Sequence, residues 1–192
     1  MEVLVVHSPS GLTMRYMKIY AQDILDNDVP DVVTLEFHDD TCSPSLVHRA
    51  TTFDITDDGK LDWVIADDVN QDGIIDAVDR AQAIELAQLF LAFNWFSLDE
   101  PYDKYLKVFA RDFDGNGVPD TVRLHFHQGE GEPTDESIAY TAAVYADGNG
   151  LGGVSINQDV NNDQKVDGKD AELVKQFAAL FLKFGWVDAQ HG

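Results

Sequence analysis

Residues 68–79 read Asp68-Val69-Asn70-Gln71-Asp72-Gly73-Ile74-Ile75-Asp76-Ala77-Val78-Asp79, and residues 159–170 read Asp159-Val160-Asn161-Asn162-Asp163-Gln164-Lys165-Val166-Asp167-Gly168-Lys169-Asp170. Side-chain oxygens stand at positions 1, 3, 5, 9 and 12 of both stretches. Calcium is a hard cation that needs six to eight oxygens at about 2.3–2.6 Å, and a twelve-residue loop supplies them from those positions plus the carbonyl at position 7. The expected ligands are Asp68, Asn70, Asp72, the Ile74 carbonyl, Asp76 and Asp79 in the first loop. In the second they are Asp159, Asn161, Asp163, the Lys165 carbonyl, Asp167 and Asp170. Gly73 at position 6 permits a sharp reversal, whereas Gln164 at the same place must adopt a positive φ at a cost on the order of 1 kcal/mol. The second site is therefore expected to be weaker. Ile75 at position 8 is expected to anchor its loop to the core. Asp76 and Asp79 also stand where a following helix needs acceptors for its free N–H groups and negative charge for its dipole.

The two stretches belong to a longer repetition. Residues 65–95 match 156–186 at 13 of 31 positions, and residues 15–38 match 104–127 at 12 of 24, including Val29-Pro30-Asp31 with Val118-Pro119-Asp120. The chain reads as a tandem duplication with its seam near Ser97 to Tyr102. Val33, Leu35 and Phe37 alternate with polar residues, as do Val122, Leu124 and Phe126, which is the period of a strand with one buried face. A second apolar-turn-apolar unit follows in each half, and then the acidic loop and a helix of about 17 residues. Leu173, Phe177, Leu180, Phe181 and Phe184 recur on one helical face. The expected fold class is α+β, internally duplicated, each half being two β-hairpins followed by an acidic calcium loop and one helix. The units are residues 1–97 and 98–192, packed through Trp95, Trp186 and the Phe-rich faces as one pseudo-twofold domain.

The two acidic loops resemble the repeats of type I dockerins, the calcium-binding modules that plug cellulosomal enzymes into cohesin domains. DVNQDGIIDAVD and DVNNDQKVDGKD, each followed by a helix ending in a hydrophobic cluster, carry that resemblance over about 60 residues. Strand-like WVIA and VSI stand where a full EF-hand has its entering helix. In dockerins the two repeats are nearly contiguous, whereas here about 80 residues separate them. The resemblance implies calcium binding first, and docking to a cohesin or adhesion partner second.

Two shorter loops repeat the chemistry inside hairpins. Asp112, Asp114, Asn116, the Val118 carbonyl and Asp120 form one donor set, and Asp54, Thr56, Asp58, the Lys60 carbonyl and Asp62 form the other. Their pattern is similar to the calcium hairpins of integrin-type FG-GAP repeats. The counterpart Asp23-Leu25-Asn27-Asp28-Asp31 lacks the oxygen at position 3 and the glycine. Tyr145-Asp147-Asn149-Gly150-Gly153 lacks the oxygens at positions 1 and 9. Four calcium sites and two relics are expected, and four ions would bring the formal charge to about −14.

Composition points the same way. The chain has 192 residues, 13 Lys+Arg against 35 Asp+Glu, and a net charge of −22. Such a charge repels phosphate backbones and anionic lipid, so neither nucleic acid nor membrane insertion is expected. Of 27 Asp, 15 fall in the four loops, which favours cation binding over a generally acidic surface suited to high salt. Cys42 is the only cysteine, so no intrachain disulfide is available and bound metal is the expected staple. His125 and His127 lack the further ligands of a zinc site. Cys42 lacks the constellation of a nucleophile, and the acids lie in hydrated loops unsuited to glycoside hydrolysis. The expectation is a non-enzymatic, secreted or cell-surface module stabilised by Ca2+. The alternatives are a docking module for a protein or cell-surface polymer, or an accessory domain of a polysaccharide-degrading enzyme.

Overall fold

A computed structural model describes residues 14–97, 103–113, 115–129, 134–146, 151–156 and 158–187. The strands follow from alternation. In β1 (Arg15–Gln22), Met17, Ile19 and Ala21 enter the core, so Tyr16, Lys18 and Tyr20 take the opposite face. β2 (Val32–Asp39) pairs with β1 from end to end, β3 (Leu46–Phe53) with β2, and β4 (Trp63–Ala66) with β3, all antiparallel. α1 (Ala77–Leu91) comes next. β5 (Lys104–Arg111), β6 (Thr121–Gln128), β7 (Ile138–Ala146) and β8 (Leu151–Ser155) pair in sequence, and α2 (Gly168–Leu182) completes the order.

All eight strands form one sheet, in the order β4-β3-β2-β1-β5-β6-β7-β8. The join is antiparallel, with Met17 opposite Val108, Lys18 opposite Lys107 and Ile19 opposite Leu106. This overturns the α+β expectation of two units, each of two hairpins, a calcium loop and a helix. The described chain is largely β, a single antiparallel sheet accompanied by only two helices. The physical reason lies at the strand edges. A free hairpin leaves a row of unpaired N–H and C=O groups on each side and is marginally stable in water. Pairing β1 with β5, β2 with β3 and β6 with β7 satisfies those rows. Alternation reports which face of a strand is buried and is silent on which strands are neighbours.

The core lies between the sheet and the helices. α1 buries Ala83, Leu86, Ala87 and Phe90, and α2 buries Val174, Phe177, Ala178 and Phe181. These join Leu35, Phe37, Leu124 and Phe126 in one apolar cluster, where each large side chain contributes roughly 1.5–3 kcal/mol by leaving water. Phe93 sits between Phe126 and Phe177, with ring centroids 5.4 and 5.1 Å away. Beyond α2, the Trp186 indole donates to the carbonyls of Tyr16 and His38 at 3.2 and 3.3 Å. Beyond α1, the Trp95 indole donates to the His127 carbonyl at 3.1 Å. Among the described residues no helix is long and apolar enough to cross a membrane.

Candidate metal centres

The acidic loops sit at the turns of β1–β2, β3–β4 and β5–β6, and at the entrances to α1 and α2. Five of them share one backbone. Numbered from the first Asp, position 4 is left-handed in each: Asp26 (φ 56), Asp57 (φ 56), Gln71 (φ 62), Gly115 (φ 69) and Asn162 (φ 58). Position 6 is left-handed as well: Asp28 (φ 65), Gly59 (φ 81), Gly73 (φ 87), Gly117 (φ 84) and Gln164 (φ 70). Asp and Asn visit this region more readily than other side chains because a short polar group can hydrogen-bond locally. Gln71 and Gln164 have no such advantage, so each helix-entering loop carries one strained glutamine, at position 4 in the first and at position 6 in the second.

Hydrogen bonding explains why position 1 is always Asp. Asp68 accepts from the main-chain N–H of Asp72 at 3.1 Å and of Gly73 at 2.9 Å. Asp159 accepts from Asp163 at 3.1 Å and from Gln164. Asp54 takes the same two bonds from Asp58 and Gly59, and Asp23 takes them from Asn27 and Asp28. Asp112 takes them from Asn116 and Gly117, with a third from Gly115. Position 5 then turns the chain onward: Asp72, Asp163, Asp58, Asn116 and Asn27 each accept from the N–H two residues later. Burial opposes ionisation of Asp54, but N–H donation from Gly59, Asp58, Asp57 and Thr56 outweighs it and holds the carboxyl below its usual range.

The closing carboxylate differs between the two loop types. In the hairpin loops it is position 9. Asp62 accepts from Ile55 N–H at 3.3 Å and from the Thr56 hydroxyl at 2.8 Å, Asp120 accepts from Phe113 N–H, and Asp31 accepts from Ile24 and Leu25. In the loops that enter helices it is position 12. Asp79 accepts from Val69, Asn70 and Asp76 N–H at 2.9, 3.1 and 2.9 Å, and Asp170 accepts from Val160, Asn161 and Asp167 at 3.0, 3.3 and 2.8 Å. Both carboxylates are fully buried. Asp76 and Asp167 at position 9 become helix N-caps, each completing a capping box with the Asp three residues on.

These contacts define what remains for an ion. A carboxylate offers about four lone-pair directions, and Asp79 and Asp170 each commit three to N–H groups. Among the described residues, one direction at the oxygen facing Asp76 or Asp167 is left, and Asp68 and Asp159 each keep one direction per oxygen. Asn70 donates to Asp72 at 3.2 Å, and Lys169 reaches Asp163 at 3.5 Å, so part of each donor set is engaged within its own loop. Among the described residues no three His, Cys, Asp or Glu side chains converge on a metal-holding group. Asp114 lies outside the described residues, as do Asp147, Asn149 and Gly150 of the loop between β7 and β8.

Two further features escape a reading by position alone. The anchor of each helix-entering loop is position 2: Val69 and Val160 are fully buried, whereas Ile75 and Val166 at position 8 are 60% and 58% exposed. The pull of Asp79 on Val69 N–H draws position 2 inward, which a hydropathy pattern does not show. The loop at 23–31 keeps the shared backbone and the position-1 and position-9 carboxylates although it lacks glycine. Only the nine-residue spacing of Asp23 and Asp31 signals this. Compared with protein-family models, with curated proteins and with solved structures, the chain matches none.

Proposed function

We propose that the protein is a non-enzymatic calcium-binding module, secreted or displayed at a cell surface, in which Ca2+ ties the acidic loops to the sheet. The observation that carries this reading is the backbone common to five loops of different sequence, left-handed at positions 4 and 6 and pinned by the position-1 carboxylate. Every side-chain donor in these loops is oxygen, the chemistry calcium prefers and zinc or copper does not. Asp68, Asn70, Asp72, the Ile74 carbonyl, Asp76 and Asp79 would hold one ion, and their counterparts at 159–170 another. The loops at 54–62 and 112–120 are the hairpin candidates. Bound calcium would supply positive charge among carboxylates that otherwise repel one another on a chain of −22. The N–H groups around each carboxylate orient its oxygens before the ion arrives.

Binding to the folded state adds to folding stability by mass action. Calorimetry in EDTA and then with added Ca2+ tests the reading. A melting temperature that rises with Ca2+ and saturates supports it, and an unchanged melting temperature at millimolar Ca2+ rejects it.

A further inference from the structure

The sheet face turned away from the helices departs from the charge of the molecule. Only 13 of 192 residues are Lys or Arg, yet Lys107, Arg111 and Arg123 converge there on one pocket of about 340 Å3, with His125 beside them. Lys107 stands opposite His125 across the β5–β6 pair, and Arg123 stands opposite Phe109. Lys18 faces Lys107 on β1, a like-charge cross-strand pair that costs stability. Each of these two ammonium groups lies over a tyrosine ring, Lys18 4.4 Å from Tyr105 and Lys107 4.3 Å from Tyr16.

Carboxylates neutralise the arginines on the first half of this sheet. Arg49 pairs with Glu36 at 2.7 Å and Arg15 with Asp39 at 2.8 Å. Neither Arg111 nor Arg123 makes an ion pair among the described residues. In the alignment of residues 15–38 with 104–127, Glu36 corresponds to His125, so the acid that quiets the first half of this face is an imidazole in the second. Burial, then Lys107 and Arg123, push His125 down to about 4 and keep it neutral at pH 7. Among the described lining residues, Asp135 is the one carboxylate, beside three cations. Phe109 and Met14 give the pocket an apolar wall.

We propose that this pocket binds a small organic anion, with its carboxylate held by Arg111 and Arg123 beside Lys107 and its apolar body against Phe109 and Met14. Guanidinium groups suit this task because their planar fork matches a carboxylate. The pocket borders the loop at 112–120 through Phe113, but none of the candidate calcium ligands is among its described lining residues, so it stands whether or not the loops bind metal.

The test is an NMR titration of the full chain with sodium benzoate, following the His125 ring, with inorganic phosphate as a second probe. Benzoate should bind saturably and raise the His125 pKa, because the anion offsets the neighbouring cations. Arg111→Gln with Arg123→Gln should weaken benzoate about tenfold or more, while Arg49→Gln should leave it unchanged. Non-saturable shifts, a static His125 pKa, or equal affinity in the double variant would overturn the proposal. Phosphate binding as tightly as benzoate would overturn its organic part. The wild-type titration decides the matter even if the double variant fails to fold.

Discussion

Asn94, three residues past the end of α1, donates its side-chain amide to the Asn161 carbonyl 2.8 Å away in the acidic loop that precedes α2. The reciprocal contact runs the other way: Gln71, in the loop that precedes α1, donates to the Phe184 carbonyl beyond α2 at 3.1 Å. Each loop is therefore tied to the end of the other helix. Asn94 is also left-handed, at φ 50. Replacement by Gly removes the amide without adding strain there, and the lost bond should cost about 1 kcal/mol. The Asn94→Gly variant should also lower calcium affinity at 159–170 more than at 68–79, read by isothermal titration against a Gln71→Ala variant that shows the opposite bias.

Position 6 separates the two helix-entering loops. Gln164→Gly should raise stability by about 1 kcal/mol, since glycine carries no penalty at φ 70. Gly73→Gln should lower it by a similar amount. Urea midpoints of the two variants, measured in Ca2+ and in EDTA, check the signs, and equal midpoints for Gln164→Gly and wild type would count against strain at this position.

Asp79 and Asp170 are the most consequential carboxylates of the loops. Asp79→Ala would orphan the N–H groups of Val69, Asn70 and Asp76, two of them at the loop base and one at the helix start. The loss should be about 3 kcal/mol, because the buried Val69 donor left unpaired costs roughly 1–3 kcal/mol and the two half-buried donors add less each. Asp76→Ala, at a half-exposed cap, should cost nearer 1 kcal/mol. Thermal unfolding in EDTA isolates these structural terms from metal binding. If the two variants melt together, the buried hydrogen bonds of Asp79 do not have the role assigned to them.

Acid should destabilise the fold in two stages. His125 is held at about 4 by burial and then Lys107, and His127 at about 4 by burial, His125 and Lys107, against 6.5 for a free imidazole. The unfolded chain takes up protons first, so this stabilisation is complete above pH 6.5 and disappears as pH falls to about 4. Glu36 behaves separately. Burial raises its pKa, but the hydrogen bonds of His38 and Arg49 outweigh burial and bring it to about 2, so its contribution is lost between about 4.5 and 2. A His125→Asn, His127→Asn variant should flatten the urea midpoint between pH 6.5 and 4 and leave the lower stage intact.

The turn chemistry of the acidic loops was legible in the sequence because its rules are local. Asp at position 1, an αL-tolerant residue at position 6 and Asp at position 9 or 12 all act through hydrogen bonds spanning two to ten residues, and a single sequence displays those spacings. The role of Asp79 was half visible: its place at the helix start follows from position, while its full burial against Val69 does not. The cationic pocket was invisible for a different reason. Lys107, Arg111 and Arg123 are ordinary polar residues of alternating strands, and nothing in their spacing says that they meet at one pocket.

By itself the sequence determined the two alignable halves, the strand and helix periods and the regular Asp spacings of the loops, since each depends on residues close together in the chain. Only the tertiary structure decided that β1 joins β5, that one continuous sheet results, and that each acidic loop is braced by the far helix. Those outcomes depend on strand-edge hydrogen bonding and on contacts between Gln71 and Phe184, 113 positions apart. Backbone edges are chemically alike whatever side chains they carry, so no pattern of residues announces which edge meets which.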